Sequence, residues 1–212
     1  MTWSLNELEA MSRKAARGCG LSWGLAEEAG RASRWLAEHG LPAPRLLADL
    51  LVQNDGVAYG DLVPDCGAEP WSAHAGRLCP LIAGAALSDR LQAIAPGEAI
   101  RLGRCAVPVL LLPALANGPE TYVVAWDGVS VGVGPDRVTV DGSAEALSLR
   151  ETDSVKIRRG EAAKGRTLPE KARCDIEPDA IEVLQRFAHR TYAPATEESR
   201  AAGAGAGLTD ND

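Results

Sequence analysis

Cys79-Pro80 is the dipeptide in this sequence with the most chemistry in it. Proline fits the first position of a helix, because it has no N–H to leave unpaired and its φ is already helical. That puts Cys79 at an N-cap facing a concavity, where free amides and the helix dipole lower a thiol pKa and favour the thiolate. His74 lies just upstream and Asp65 further back, so a Cys–His–Asp set for hydrolysis or group transfer can be drawn. The plainer reading of Cys79 is a buried thiol that packs near a helix start. Cys66, His74 and Cys79 match no zinc spacing and lack a fourth ligand, so no metal is expected.

A second candidate is basic. Lys156, Arg158, Arg159, Lys164 and Arg166 form the one cationic run in an acidic chain. It reads either as a solvated strand end and loop or as an anion site for a carboxylate or phosphate. The chain ends in an alternating run with Gly203, Gly205 and Gly207, followed by Asp210 and Asp212. Too few residues follow for a dinucleotide-binding crossover, so that reading is excluded. Glycine loses more backbone freedom than alanine on ordering, so the run predicts an ordered tail that docks by close backbone approach, with its carboxylates towards the basic segment. No His-Glu-x-x-His or Walker pattern occurs.

The elements that must position these residues are legible from caps and periods. Ser4 and Glu7 form a capping box for a helix over about 4–17, and Ser22 caps a second over 22–39. Pro44 opens a third over 44–53, and helices are expected over 71–78 and 80–94. Residues 54–70 read as loop. Beyond Gly97 the apolar period falls from 3.6 to 2, which predicts an antiparallel β-meander over 96–160. Its strands include Val107 to Leu112 and Ala146 to Leu149, with hairpin turns at Asp127-Gly128 and Asp141-Gly142. Residues 161–212 give a charged loop, a helix opened by Pro178, and the tail. The fold class is α+β: an N-terminal helical part, 1–95, packed on the meander in one compact domain.

Composition bounds the function. The 212 residues carry 22 basic and 29 acidic side chains, a net charge of −7, which argues against nucleic acid or an anionic membrane as partner. The apolar stretch from Ala106 to Ala116 is broken by Pro108 and Pro113 and is too short to span a bilayer. The N-terminus carries Glu7 and Glu9 and no signal-peptide core, so a cytoplasmic location is expected. The five cysteines are odd in number and widely spaced, which suits reduced, buried thiols rather than disulfides.

Three segments together resemble a known family. They are Ser4-Leu-Asn-Glu-Leu-Glu-Ala with Gly20-Leu-Ser-Trp-Gly-Leu-Ala-Glu-Glu-Ala; Leu78-Cys-Pro with Ala83-Gly-Ala-Ala-Leu-Ser-Asp89; and Thr191-Tyr-Ala-Pro-Ala-Thr-Glu-Glu-Ser-Arg200 running into the glycine-rich end. The family is an uncharacterised, mainly proteobacterial one, domain of unknown function 3726, and the resemblance covers the whole chain. It implies no activity, cofactor or catalytic residue. The opening helices are also similar to those of the malate, ureidoglycolate and sulfolactate dehydrogenase family, but that family's Asp-Ser-His-Gly motif is missing and no nicotinamide cofactor follows.

The sequence therefore leads to an accessory or ligand-binding protein that handles a small anionic metabolite or a partner subunit, with no cofactor. The rival is a hydrolase or transferase with Cys79 as nucleophile.

Overall fold

The computed structural model describes residues 2–118, 120–135, 137–160 and 165–192. Strand β1 (Thr2–Ser4) runs into α1 (Leu5–Gly18), followed by α2 (Trp23–Glu38), α3 (Ala43–Asn54) and a single turn, α4 (Tyr59–Leu62). The ribbon β2 (Pro64–Asp65) and β3 (Ser72–Ala73) precedes α5 (Pro80–Ser88). Next come β4 (Ala99–Leu102), β5 (Cys105–Ala106), a 3₁₀ turn at Pro108–Leu111 and α6 (Leu112–Ala116). The meander strands are β6 (Tyr122–Trp126), β7 (Val129–Val133) and β8 (Val138–Asp141). The short α7 (Ala144–Leu147) and β9 (Glu151–Thr152) lead to β10 (Val155–Arg159), β11 (Arg166–Thr167), β12 (Arg173–Asp175) and α8 (Pro178–His189).

The architecture is mixed α+β, with helices first, an antiparallel sheet and a closing helix. Local chemistry explains the helices. The Ser4 side chain accepts from the Glu7 amide, and the Glu7 carboxylate accepts from the Ser4 amide at 2.8 Å, which satisfies two orphan donors of α1. Ser22 caps α2, which stops at Gly40 (φ +72), where the amides of Gly40 and Leu41 return to Ala37 and Leu36. Leu5, Leu8, Ser12, Ala15 and Ala16 form the buried face of α1. That face packs on α2 and α8, and α3 also meets α8. Phe187 of α8 is fully buried in this layer; truncating such a ring to alanine costs about 3–5 kcal/mol.

The main sheet has six strands in the order β11-β8-β7-β6-β10-β4, every pair antiparallel. Val140, Val131, Val124 and Ile157 are cross-strand neighbours on its inner face and are all buried. On the outer face Asp141, Ser130, Ala125, Lys156 and Arg101 follow one another across the strands. The Asp127-Gly128 turn forms as the sequence predicts: both residues have positive φ, and Trp126 pairs with Val129 across a two-residue loop.

Five expectations are corrected. Residues 71–78 are not helical, because Trp71 spends both backbone groups on the edge of β4 (Trp71 N to Arg101 O and Gly103 N to Trp71 O, each 2.9 Å) and Gly76 takes φ +76. The helix from Pro80 stops at Ser88 rather than 94, leaving one 3₁₀ turn at Leu91–Ala93. The strand expected over 107–112 is a 3₁₀ turn and a helix, because Val107 is left-handed (φ +37) and Pro108 then fixes a helical φ without an N–H for any ladder. The Asp141-Gly142 pair makes no hairpin and 146–149 is no strand, since the Ser143 side chain caps α7 there instead.

The first strand returns to a late one: β1 pairs antiparallel with β12, Thr2 opposite Asp175. The ordered tail expected beyond Tyr192, with Gly203, Gly205, Gly207, Asp210 and Asp212, lies outside the described residues, as does Lys164. Among the described residues no helix is long and apolar enough to cross a membrane.

Candidate functional site

Cys79 is the N-cap of α5, and Pro80 is its first helical residue. The side chain has no exposed surface, and Asn54 Nδ2 donates to the sulfur at 3.3 Å. Burial pushes the thiol pKa up; the Ile82 and Leu81 amides, Asn54 and Arg77 pull it back but do not prevail. The two amides face the sulfur without reaching capping geometry. His74 and Asp65 are exposed beside the β2–β3 ribbon, whereas Cys79 is sealed beneath.

Asn54 is the residue that sequence reasoning missed. It continues the stripe Leu47, Leu50, Leu51, Asn54 at helical spacing, and a polar residue on such an apolar stripe is the signal that marks it. Its Oδ1 and the nearby Arg77 Nε are buried without a partner. Two further thiols close the region. Cys19 Sγ donates to Leu51 O at 3.4 Å, and burial, reinforced by Asp55, pushes its pKa up to about 11. Cys105 is completely buried and is likewise raised by desolvation. This corner keeps its thiols protonated, the opposite of what a nucleophile needs. Among the described residues no group of three His, Cys, Asp or Glu side chains is placed to hold a metal ion.

The basic run does not form one site. Arg158 and Arg159 lie on β10 and Arg166 on β11, with β6, β7 and β8 between them. Four strand spacings amount to about 19 Å. Arg159 is engaged by Glu120 at 2.6 Å, while Lys156 and Arg158 are exposed on the outer face. Gly128-Val-Ser130-Val-Gly132 has the spacing of a nucleophile elbow, but it lies in a β-hairpin rather than between strand and helix. No histidine lines the shallow depression around Ser130.

Three concavities follow α2. One, of about 460 Å³, lies between α2, α5 and α6 and is bounded by Arg31, Trp35, Leu81, Ala85 and Pro113. The next, about 270 Å³, shares Trp35 and adds Glu38, His39, Arg137 and Glu170. A third, about 530 Å³, shares Glu38 and Glu170 and adds Arg34 and Lys171. Their common walls make one groove along a single face of α2, from Glu28 to Glu38, about 15 Å by helix rise. Gly84 shapes the floor, since a methyl group there would come within 3.0 Å of the Ala114 methyl. The Lys171 amide donates to Glu38 O at 2.6 Å and pins the far wall to the end of α2.

Trp35 stands at the centre. Its ring lies 4.1 Å from the His39 ring, and His39 Nδ1 donates to the Trp35 carbonyl at 2.8 Å. That bond fixes the tautomer of the neutral ring and leaves Nε2 as its acceptor. The groove thus offers an aromatic wall, a small-residue floor, and charges of both signs. No curated protein and no solved structure matches the chain. A family match covers α1 to α4 and stops at Cys79: residues 3–79 match a family described as a protein of unknown function (DUF3726), so the resemblance seen in the sequence is established for this part and not for the whole chain.

Proposed function

We propose that the protein is a non-catalytic ligand-binding or accessory protein, and that the groove along α2 holds a small carboxylate-bearing metabolite that also carries a cationic group. The observation behind this reading is the middle of the groove, where Arg137 and His39 stand among Glu38 and Glu170 beside Trp35. A guanidinium suits a carboxylate, the two glutamates suit an amine, and the indole takes an apolar or flat portion. The exposed Glu28–Arg31 pair at the rim, 3.5 Å apart, is worth only about 0–1 kcal/mol and yields readily to a ligand. The complete burial and raised pKa of Cys79 weigh against the rival thiol enzyme.

The test is a thermal-shift and tryptophan-fluorescence screen against amino acids and small dicarboxylates. A binder should raise Tm, and Trp35→Leu should remove most of its fluorescence response. Ala85 is exposed in the groove, so Ala85→Leu should obstruct the ligand without disturbing the core. A screen with no hit, or a hit indifferent to Ala85→Leu, would end this reading.

A further inference from the structure

We propose that the end of the helical layer where α1 and α8 finish is a docking site for an acidic, partly apolar segment of another protein. The surface is built from pairs. Arg17 lies over the Trp23 ring at 5.1 Å, and Lys14 over the Tyr192 ring at 5.9 Å. Lys14 and Arg17 are three residues apart on α1 and therefore adjacent on its surface. The two cations join the rings into a strip that runs from the start of α2, across α1, to the end of α8. His189 meets Tyr192 edge-on at 5.3 Å and extends the strip along α8.

Exposure and charge single this face out. Trp23 is 68% and Tyr192 56% exposed, in a chain with only nine aromatic residues. An indole left in water beside an arginine is the composition of an interface anchor rather than of a solvated surface. Among the described residues Lys14, Arg17 and Arg186 make no ion pair, while Arg190 is occupied by Asp55 through bonds of 2.6 and 3.0 Å. The strip is therefore a cationic island on a protein of net charge −7.

Charge complementarity selects the occupant. Carboxylates would meet Lys14, Arg17 and Arg186, while apolar side chains would cover Trp23 and Tyr192. Pairing with a second copy of this chain would set two bodies of net charge −7 against each other, whereas a short segment brings its carboxylates to the island alone. An anionic bilayer would confront the acidic remainder of the molecule, whereas a peptide segment touches the island alone, because screening confines these fields to about 8 Å. The groove at Trp35 lies about 18 Å further along α2 by helix rise, so the two surfaces can be occupied independently.

Fluorescence anisotropy with a labelled synthetic peptide of Asp, Glu and Leu tests this, with vesicles of phosphatidylcholine and phosphatidylglycerol as a second probe. The peptide should bind the full chain, with weakening between about 50 and 200 mM salt and a blue shift of tryptophan emission. Lys14→Glu with Arg17→Glu should reduce affinity by about tenfold or more, as should Trp23→Ala alone. Lys156→Glu with Arg158→Glu, on the sheet, should leave it unchanged. If the Arg17 variant melts early, Trp23→Ala and Tyr192→Ala carry the comparison. Absence of peptide binding, binding indifferent to the α1 and Trp23 variants, equal weakening by the sheet variants, or preference for vesicles through the same residues would each overturn the proposal.

Discussion

The side-chain amide of Asn54, the last residue of α3, donates to Cys79 Sγ at the start of α5, 3.3 Å away. Both residues are buried. The contact joins the end of α3 to the start of α5, with the thiol inside the core.

Thiol labelling should follow burial. Cys66 and Cys19 are half-buried, whereas Cys79, Cys105 and Cys174 are buried. With iodoacetamide at about pH 7.5, where thiolate fraction and access control the rate, Cys66 should modify before Cys79 and Cys105, which should react only on unfolding. Peptide mass mapping over time checks this. Fast labelling of Cys79 would revive the enzyme reading.

Asn54→Leu should leave stability within about 1 kcal/mol of the wild type, because it removes a group whose Oδ1 is already buried without a partner. Asn54→Asp should cost about 3 kcal/mol or more at neutral pH, since an uncompensated carboxylate would be enclosed there. Urea unfolding midpoints separate the two.

Gly18→Ala should destabilise despite the better helix propensity of alanine. Its methyl group would lie 1.8 Å from the Phe187 carbonyl oxygen, a clash with backbone that no rotamer relieves. Overpacking of about 3 kcal/mol set against about 1 kcal/mol of propensity leaves a net loss of about 2 kcal/mol. Gly24 in the exposed first turn of α2 has nothing within 4 Å. Gly24→Ala should therefore stabilise by about 0.5 kcal/mol. Calorimetry of the two variants gives shifts of opposite sign.

Stability should fall at both extremes of pH, for different groups. The hydrogen bond from Arg190 holds the Asp55 carboxyl below its usual value, against a smaller opposing effect of desolvation. Its contribution is present above the ordinary carboxylate pKa of about 3.9 and is lost as pH falls through the depressed folded value. Burial raises Cys19 to about 11 and lifts Cys79 and Cys105 as well. Their contribution is whole below the unfolded thiol pKa of about 8.5 and is lost as pH rises towards the folded values. Melting curves across pH should show Asp55→Asn with a flatter acid limb and Cys105→Ala with a flatter alkaline limb.

The sequence by itself determined what depends on a few neighbouring residues. The Ser4–Glu7 box, the Ser22 cap, the prolines that open α5 and α8, and the Asp127-Gly128 turn are all settled within one turn of chain. The shift of apolar period from 3.6 to 2 likewise marks where helices give way to the sheet. Tertiary structure decided everything that depends on a distant partner. Trp71 extends rather than coils because β4 takes its backbone hydrogen bonds, and the run after Val107 coils although its apolar residues suit a strand. The basic run is divided because three strands come between Arg158 and Arg166, and the neighbour of Cys79 is Asn54 of α3 rather than His74. Hydrogen bonds across a sheet and the desolvation of a buried thiol arise only when segments far apart in sequence meet, so no local pattern of residues records them.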